Sequence, residues 1–98
     1  MLIEMSREIE SFNVIISGKV QGVFFRASMK RVAEECELVG WVRNLEDGRV
    51  ESLVQGRWTD IQRILEWCKT GPRNAAVSKV EVKKVNPQAD LRNFSIVY

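Results

Sequence analysis

A chain of 98 residues, 45% of them hydrophobic and 29% charged, has the size and balance of one folded domain with a single core. Its net charge of +2, with lysine and arginine spread along the chain, makes no case for a nucleic-acid partner and only mildly favours an anionic small molecule. Histidine is absent, which excludes imidazole bases, nucleophiles and metal ligands together.

Residues 1–10 contain acidic side chains and no apolar stretch of signal-peptide length, and they read as a lead-in to a domain over 11–98. No apolar run is long enough to cross a membrane, so the expected location is cytoplasmic. Ser11 to Lys19, rich in aromatic and β-branched residues, reads as the first strand. Gly18 and Gly22 then bracket a turn, after which Phe25, Met29, Val32, Ala33 and Cys36 recur at helical spacing for about three turns. Val39 to Asn44 is a second strand, Asp47-Gly48 a hairpin turn and Arg49 to Gln55 the returning strand. Gly56 is expected to end that strand and Thr59 to cap a second helix, whose apolar stripe is Trp58, Ile61, Ile64, Leu65 and Cys68. Gly71-Pro72 stops it. Val77 to Val85 is a half-exposed strand, and Phe94 to Tyr98 a short last one.

The order β-α-β-β-α-β, with a short extra C-terminal strand, is that of the ferredoxin-like α/β sandwich: an antiparallel sheet with two helices on one face. Many chemistries use this architecture, so the site must be argued separately. Cys36 and Cys68 fall in helical patterns and read as small core residues; the pair is too sparse for a disulfide framework or a zinc site.

The segment from Ile16 to Arg26 carries the chemistry. A glycine-bearing turn between strand and helix gathers free backbone N–H groups at a partial positive charge, and Arg26 adds a planar fork of donors. The segment reads as a cradle for a phosphate-sized anion. Nucleotide-binding loops do not fit, because Gly18 and Gly22 enclose the wrong number of residues and Val23-Phe24 follow where Lys and Ser or Thr are needed. The dinucleotide fingerprint lacks its third glycine. A cysteine phosphatase needs an arginine where Val42 and Asn74 stand relative to the two cysteines. What remains offers positioning and charge stabilisation, without an evident nucleophile or base. Such a site suits attack by water on a mixed carboxylic–phosphoric anhydride, whose carboxylate leaves readily.

Ile16-Ser17-Gly18-Lys19-Val20-Gln21-Gly22-Val23-Phe24-Phe25-Arg26 resembles the first signature of the acylphosphatases, and Gly40-Trp41-Val42-Arg43-Asn44 with Asp47-Gly48-Arg49-Val50 and Gly56 resembles the second. The similarity continues through Trp67, Gly71-Pro72, Val77 and Phe94-Ser95-Ile96. It implies a ferredoxin-like enzyme that hydrolyses acyl phosphates to a carboxylate and inorganic phosphate, with no metal or organic cofactor. It also implies that the backbone of Val20, Gln21, Gly22, Val23, Phe24 and Phe25 binds the phosphate with Arg26, and that Asn44 orients the attacking water. Glu37 departs from the glycine common in the family at the end of the first helix, at a cost of about 1 kcal/mol if that residue is left-handed.

Without their context Arg26 would read as a surface residue paired with an acid such as Glu34, and Asn44 as a turn residue before the hairpin. Gln21 either braces the loop or faces solvent. Lys19 reads as a solvated strand end, the three tryptophans as packing residues, and Phe24 and Phe25 as divided between loop rim and core. The expected partner is a small acyl phosphate and the expected state a monomer. Two other functions use the same fold. One is a phosphate- or carbamoyl-binding module with little turnover, and the other an RNA-binding domain, for which the aromatic sheet motif is missing.

Overall fold

The computed structural model describes residues 8–98, so the lead-in expected over 1–10 lies mostly outside the described residues. Its last two positions already belong to the first strand, β1 (Ile9–Lys19). There follow α1 (Phe25–Glu35), β2 (Val39–Asn44), β3 (Val50–Arg57), α2 (Trp58–Cys68), β4 (Ala76–Val85) and β5 (Phe94–Ile96). The sheet order is β4-β1-β3-β2-β5. The first four strands pair antiparallel, and the short β5 adds to β2 in parallel. This is the ferredoxin-like α+β sandwich expected from element order, with a parallel fifth strand at its edge.

Period-two patterning assigns the sheet faces. Val14 and Ile16 of β1, Val42 of β2 and Val50 and Val54 of β3 are fully buried toward the helix layer. The helices answer with period 3.6: Phe25, Met29 and Ala33 on α1, and Ile61, Ile64 and Cys68 on α2. Each large side chain removed from water here contributes about 2 kcal/mol. Both cysteines are buried, and burial pushes the Cys68 thiol up to about 12, which leaves it without thiolate character at neutral pH.

Several strand ends shift by one or two residues from expectation, and the junction of β3 with α2 differs for a physical reason. The third strand does not end at Gly56: Gly56 pairs with Glu10 and Arg57 with Ile9. A Cβ on Gly56 would come within 2.5 Å of Leu38 Cδ2, so the glycine serves close packing rather than chain breaking. Helix α2 therefore starts directly at Trp58 with Arg57 as its N-cap residue, and Thr59 lies inside the helix. The tryptophans pack at the rims of the layers. Trp58 lies beside Phe12, Trp67 beside Phe25, and Trp41 beneath the Arg43 guanidinium. On the sheet face turned away from the helices, Gln55 donates to the Gln88 carbonyl and accepts from the Gln88 N–H, pinning the β4–β5 connection across that face.

The end of α1 is a Schellman motif. The Glu37 N–H donates to the Glu34 carbonyl and the Leu38 N–H to the Ala33 carbonyl, with Glu37 left-handed at φ 59°. The residue that departs from glycine does occupy the position where glycine fits best.

Candidate active site

Topology brings the site together. Strands β1 and β2 both run antiparallel to β3 and are therefore parallel to each other, and β5 runs parallel to β2. All three finish at the same end of the sheet. The loop after β1, the last residue of β2 and the residues after β5 therefore converge, although they are far apart in sequence.

The loop leaves β1 through a bulge at Ser17/Gly18 and enters α1 at Phe25. Gly22 has φ +75° and Phe24 φ 63°, two left-handed residues two apart, the pattern from which concave nests of N–H groups are built. Nothing lies within 4 Å of a Cβ placed on Gly22, so backbone conformation alone requires glycine there. No side chain caps the α1 N-terminus and no acidic residue occupies its first turn, which leaves its positive end open to an anion. Phe24 is 82% exposed while Phe25 is 2% exposed, dividing rim from core as the sequence implied.

These elements enclose a cleft of about 360 Å³. Val20, Gln21, Gly22, Phe24, Phe25 and Arg26 line it from the loop and helix, and Asn44 from the end of β2. Val23 is the one proposed loop residue that does not; it lines a neighbouring depression. Ile96 and Tyr98 close the third side, and neither is legible as a site residue from the sequence. Tyr98 reaches the cleft only because β5 adds beside β2, and no local pattern marks it. The Arg26 guanidinium carbon lies 5.1 Å from the centre of the Tyr98 ring, within range of a cation–π contact. Among the described residues no carboxylate pairs with Arg26, so the alternative pairing with Glu34 does not form; Glu34 pairs with Lys30 instead.

Gln21 braces the loop. Its Nε2 donates to the carbonyls of Leu45 at 2.7 Å and Arg49 at 2.9 Å. Both acceptors belong to the β2–β3 hairpin, whose tip is closed by Leu45 N–H to the Arg49 carbonyl and by Asp47 accepting from Arg49. The brace thus fixes the loop relative to Asn44. The Asn44 Oδ1 is buried and has no hydrogen-bond partner. A buried amide oxygen left unpaired is costly, so this position is held by the surrounding fold at some expense, and Asn44 lines the cleft.

Next to the site, Glu51 accepts hydrogen bonds from Asn13 and from Arg43, tying β1, β2 and β3 together. Burial disfavours the Glu51 carboxylate, but these donors and the Arg43 charge outweigh it and hold its pKa below the ordinary value.

Comparison with known proteins agrees with this architecture. The model of the acylphosphatase family matches residues 12–96. An acylphosphatase of Roseiflexus sp. (strain RS-1) is 48% identical over 86 residues, covering 88% of this chain and 92% of that protein. The structure of an acylphosphatase from Coxiella burnetii superposes with a TM-score of 0.87 at 42% identity, covering 91% of this chain and 93% of that one. Full-length HypF in a phosphate- and nucleotide-bound form also contains a similar unit, with a TM-score of 0.82 at 25% identity over 94% of this chain but only 12% of that one. On the match to the family model and to full-length relatives, the chain belongs to the acylphosphatase family.

Proposed function

We propose that this cleft hydrolyses acyl phosphates by direct attack of water, with Arg26 and the Val20–Phe25 loop holding the phosphoryl group and Asn44 orienting the water. The observation that carries the reading is that the loop, Arg26 and Asn44, far apart in sequence, line one cleft. A water donating a proton to an amide keeps a lone pair free to attack phosphorus. An amide is too weak a base to do more than orient. As the water oxygen bonds to phosphorus, the bond from phosphorus to the acyl oxygen breaks and its electron pair leaves with the carboxylate. The protons of the water pass to the phosphate product and the solvent. Arg26 and the loop N–H groups stabilise charge on the equatorial oxygens throughout. The carboxylate needs no general acid to depart, which suits a cleft lacking a histidine and an acidic lining residue.

Benzoyl phosphate hydrolysis by the purified protein with excess chelator is the direct test. Arg26→Ala should lose at least a hundredfold in kcat/KM, about 3 kcal/mol, and Arg26→Lys should fail similarly because a point charge does not reproduce the fork of donors. Full activity in Arg26→Ala would refute the assignment. Phosphate binding without turnover in the unaltered protein would favour the binding-module alternative.

A further inference from the structure

Two depressions meet at Phe24. One is the cleft of Arg26 and Asn44; the other, of about 300 Å³, shares Phe24 with it among the described lining residues. Ser28, Arg31, Trp67, Arg73 and Asn74 line this second depression with Phe24. Ser28 and Arg31 stand three apart on α1, whose N-cap is Phe24, so they lead away from the phosphate loop along one face of the helix. At 1.5 Å of rise per residue, Arg31 lies about 10 Å along the helix from Phe24. Arg73 reaches the same depression from the turn after α2. Among the described residues no acidic side chain lines it. Among the described residues neither Arg31 nor Arg73 forms an ion pair, whereas Lys30 and Lys69 nearby in the chain are both paired.

Two guanidinium groups on one concavity with no carboxylate between them create a local positive potential that an anion would relieve. Ser28 and Asn74 add neutral donors, and Phe24 and Trp67 provide apolar surface between the two charged regions. We propose that the depression is a distal subsite for acyl phosphates whose acyl chain carries a second anionic group. In this arrangement the phosphoryl group occupies the first cleft, the chain crosses the Phe24 ring, and the distal anion meets Arg31 and Arg73. The inference rests on the first cleft being the acyl phosphate site. It deepens that reading by naming the class of acyl group favoured.

Benzoyl phosphate and 4-carboxybenzoyl phosphate share a ring and a leaving group and differ by the distal carboxylate. Their kcat/KM values should be measured for the unaltered protein and for the Arg31→Gln/Arg73→Gln variant. The unaltered protein should prefer the carboxylated substrate by about fivefold at low salt, as expected for two exposed charge pairs. The double variant, or raised salt, should bring the ratio to about one. A ratio at or below one in the unaltered protein would overturn the subsite, and so would a preference that survives the double substitution. Hydrolysis of neither substrate would instead remove the parent reading, and this inference with it.

Discussion

Gln21 donates from Nε2 to the Leu45 carbonyl at 2.7 Å, joining the phosphate loop to the residue that follows Asn44. With the second bond to Arg49, one amide spans the two signature segments and holds the distance between the loop after β1 and Asn44. Replacing Gln21 with Ala leaves two carbonyls to find other donors and loosens that distance. Stability should fall by about 1 kcal/mol. The kcat for benzoyl phosphate should fall about tenfold or more, since misplacing reacting groups is costly. Parallel denaturant titrations and initial rates check this; an unaltered kcat in a destabilised variant would show the brace to be structural only.

Asn44→Ala separates activity from stability in the opposite sense. Its Oδ1 is buried without a partner, so deleting the amide removes an unsatisfied group rather than a bond. The variant should be as stable as the parent or slightly more so. Its kcat should drop by about two orders of magnitude, the usual scale for losing a positioned polar group. Inorganic phosphate should still inhibit competitively in those variants that retain Arg26. A marked loss of phosphate binding in Asn44→Ala would assign the residue to phosphate rather than to water.

Glu37→Gly should stabilise the fold. Glu37 is left-handed at the C′ position of a Schellman motif, where an L side chain is strained by about 1 kcal/mol relative to glycine. For a domain of this size that corresponds to a rise in Tm of roughly 4–8 °C. Glu37 lies outside the cleft, so kcat should stay unchanged. A lower Tm would show that the exposed carboxylate makes up for its backbone strain.

Acid should loosen the sheet beside the site through Glu51. Its pKa is depressed in the folded chain, so its contribution is fully present above the ordinary glutamate pKa of about 4.3 and is lost as pH falls through the lower folded value. Between pH 5 and 3, to take a range of about one unit on either side of that ordinary value, stability should decline. Glu51→Gln should be less stable at pH 7 and show a flatter decline. Equal slopes for the two proteins would remove Glu51 from the acid response.

Local patterning was sufficient for much of this. Periods of two and of three to four separate strands from helices, and Gly22, Arg26 and Asn44 stand in motifs specific enough to name the chemistry. The errors lay where a residue's usual local role yields to packing. Gly56 looks like a strand end, yet it is glycine because Leu38 occupies the space a Cβ would need, and the strand continues to Arg57. Gln21 has no local signal that distinguishes a brace from a solvated side chain, since its acceptors lie on another hairpin.

The sequence alone determined the fold class, the glycine-bearing turn between β1 and α1 and the absence of an imidazole, because these depend on near neighbours and on composition. Only the tertiary structure decided that Tyr98 meets Arg26, that Asn44 Oδ1 is left unpaired, and that Phe24 lines two depressions. These follow from three parallel strands ending at one edge of the sheet, a long-range pairing that no local pattern in the chain encodes.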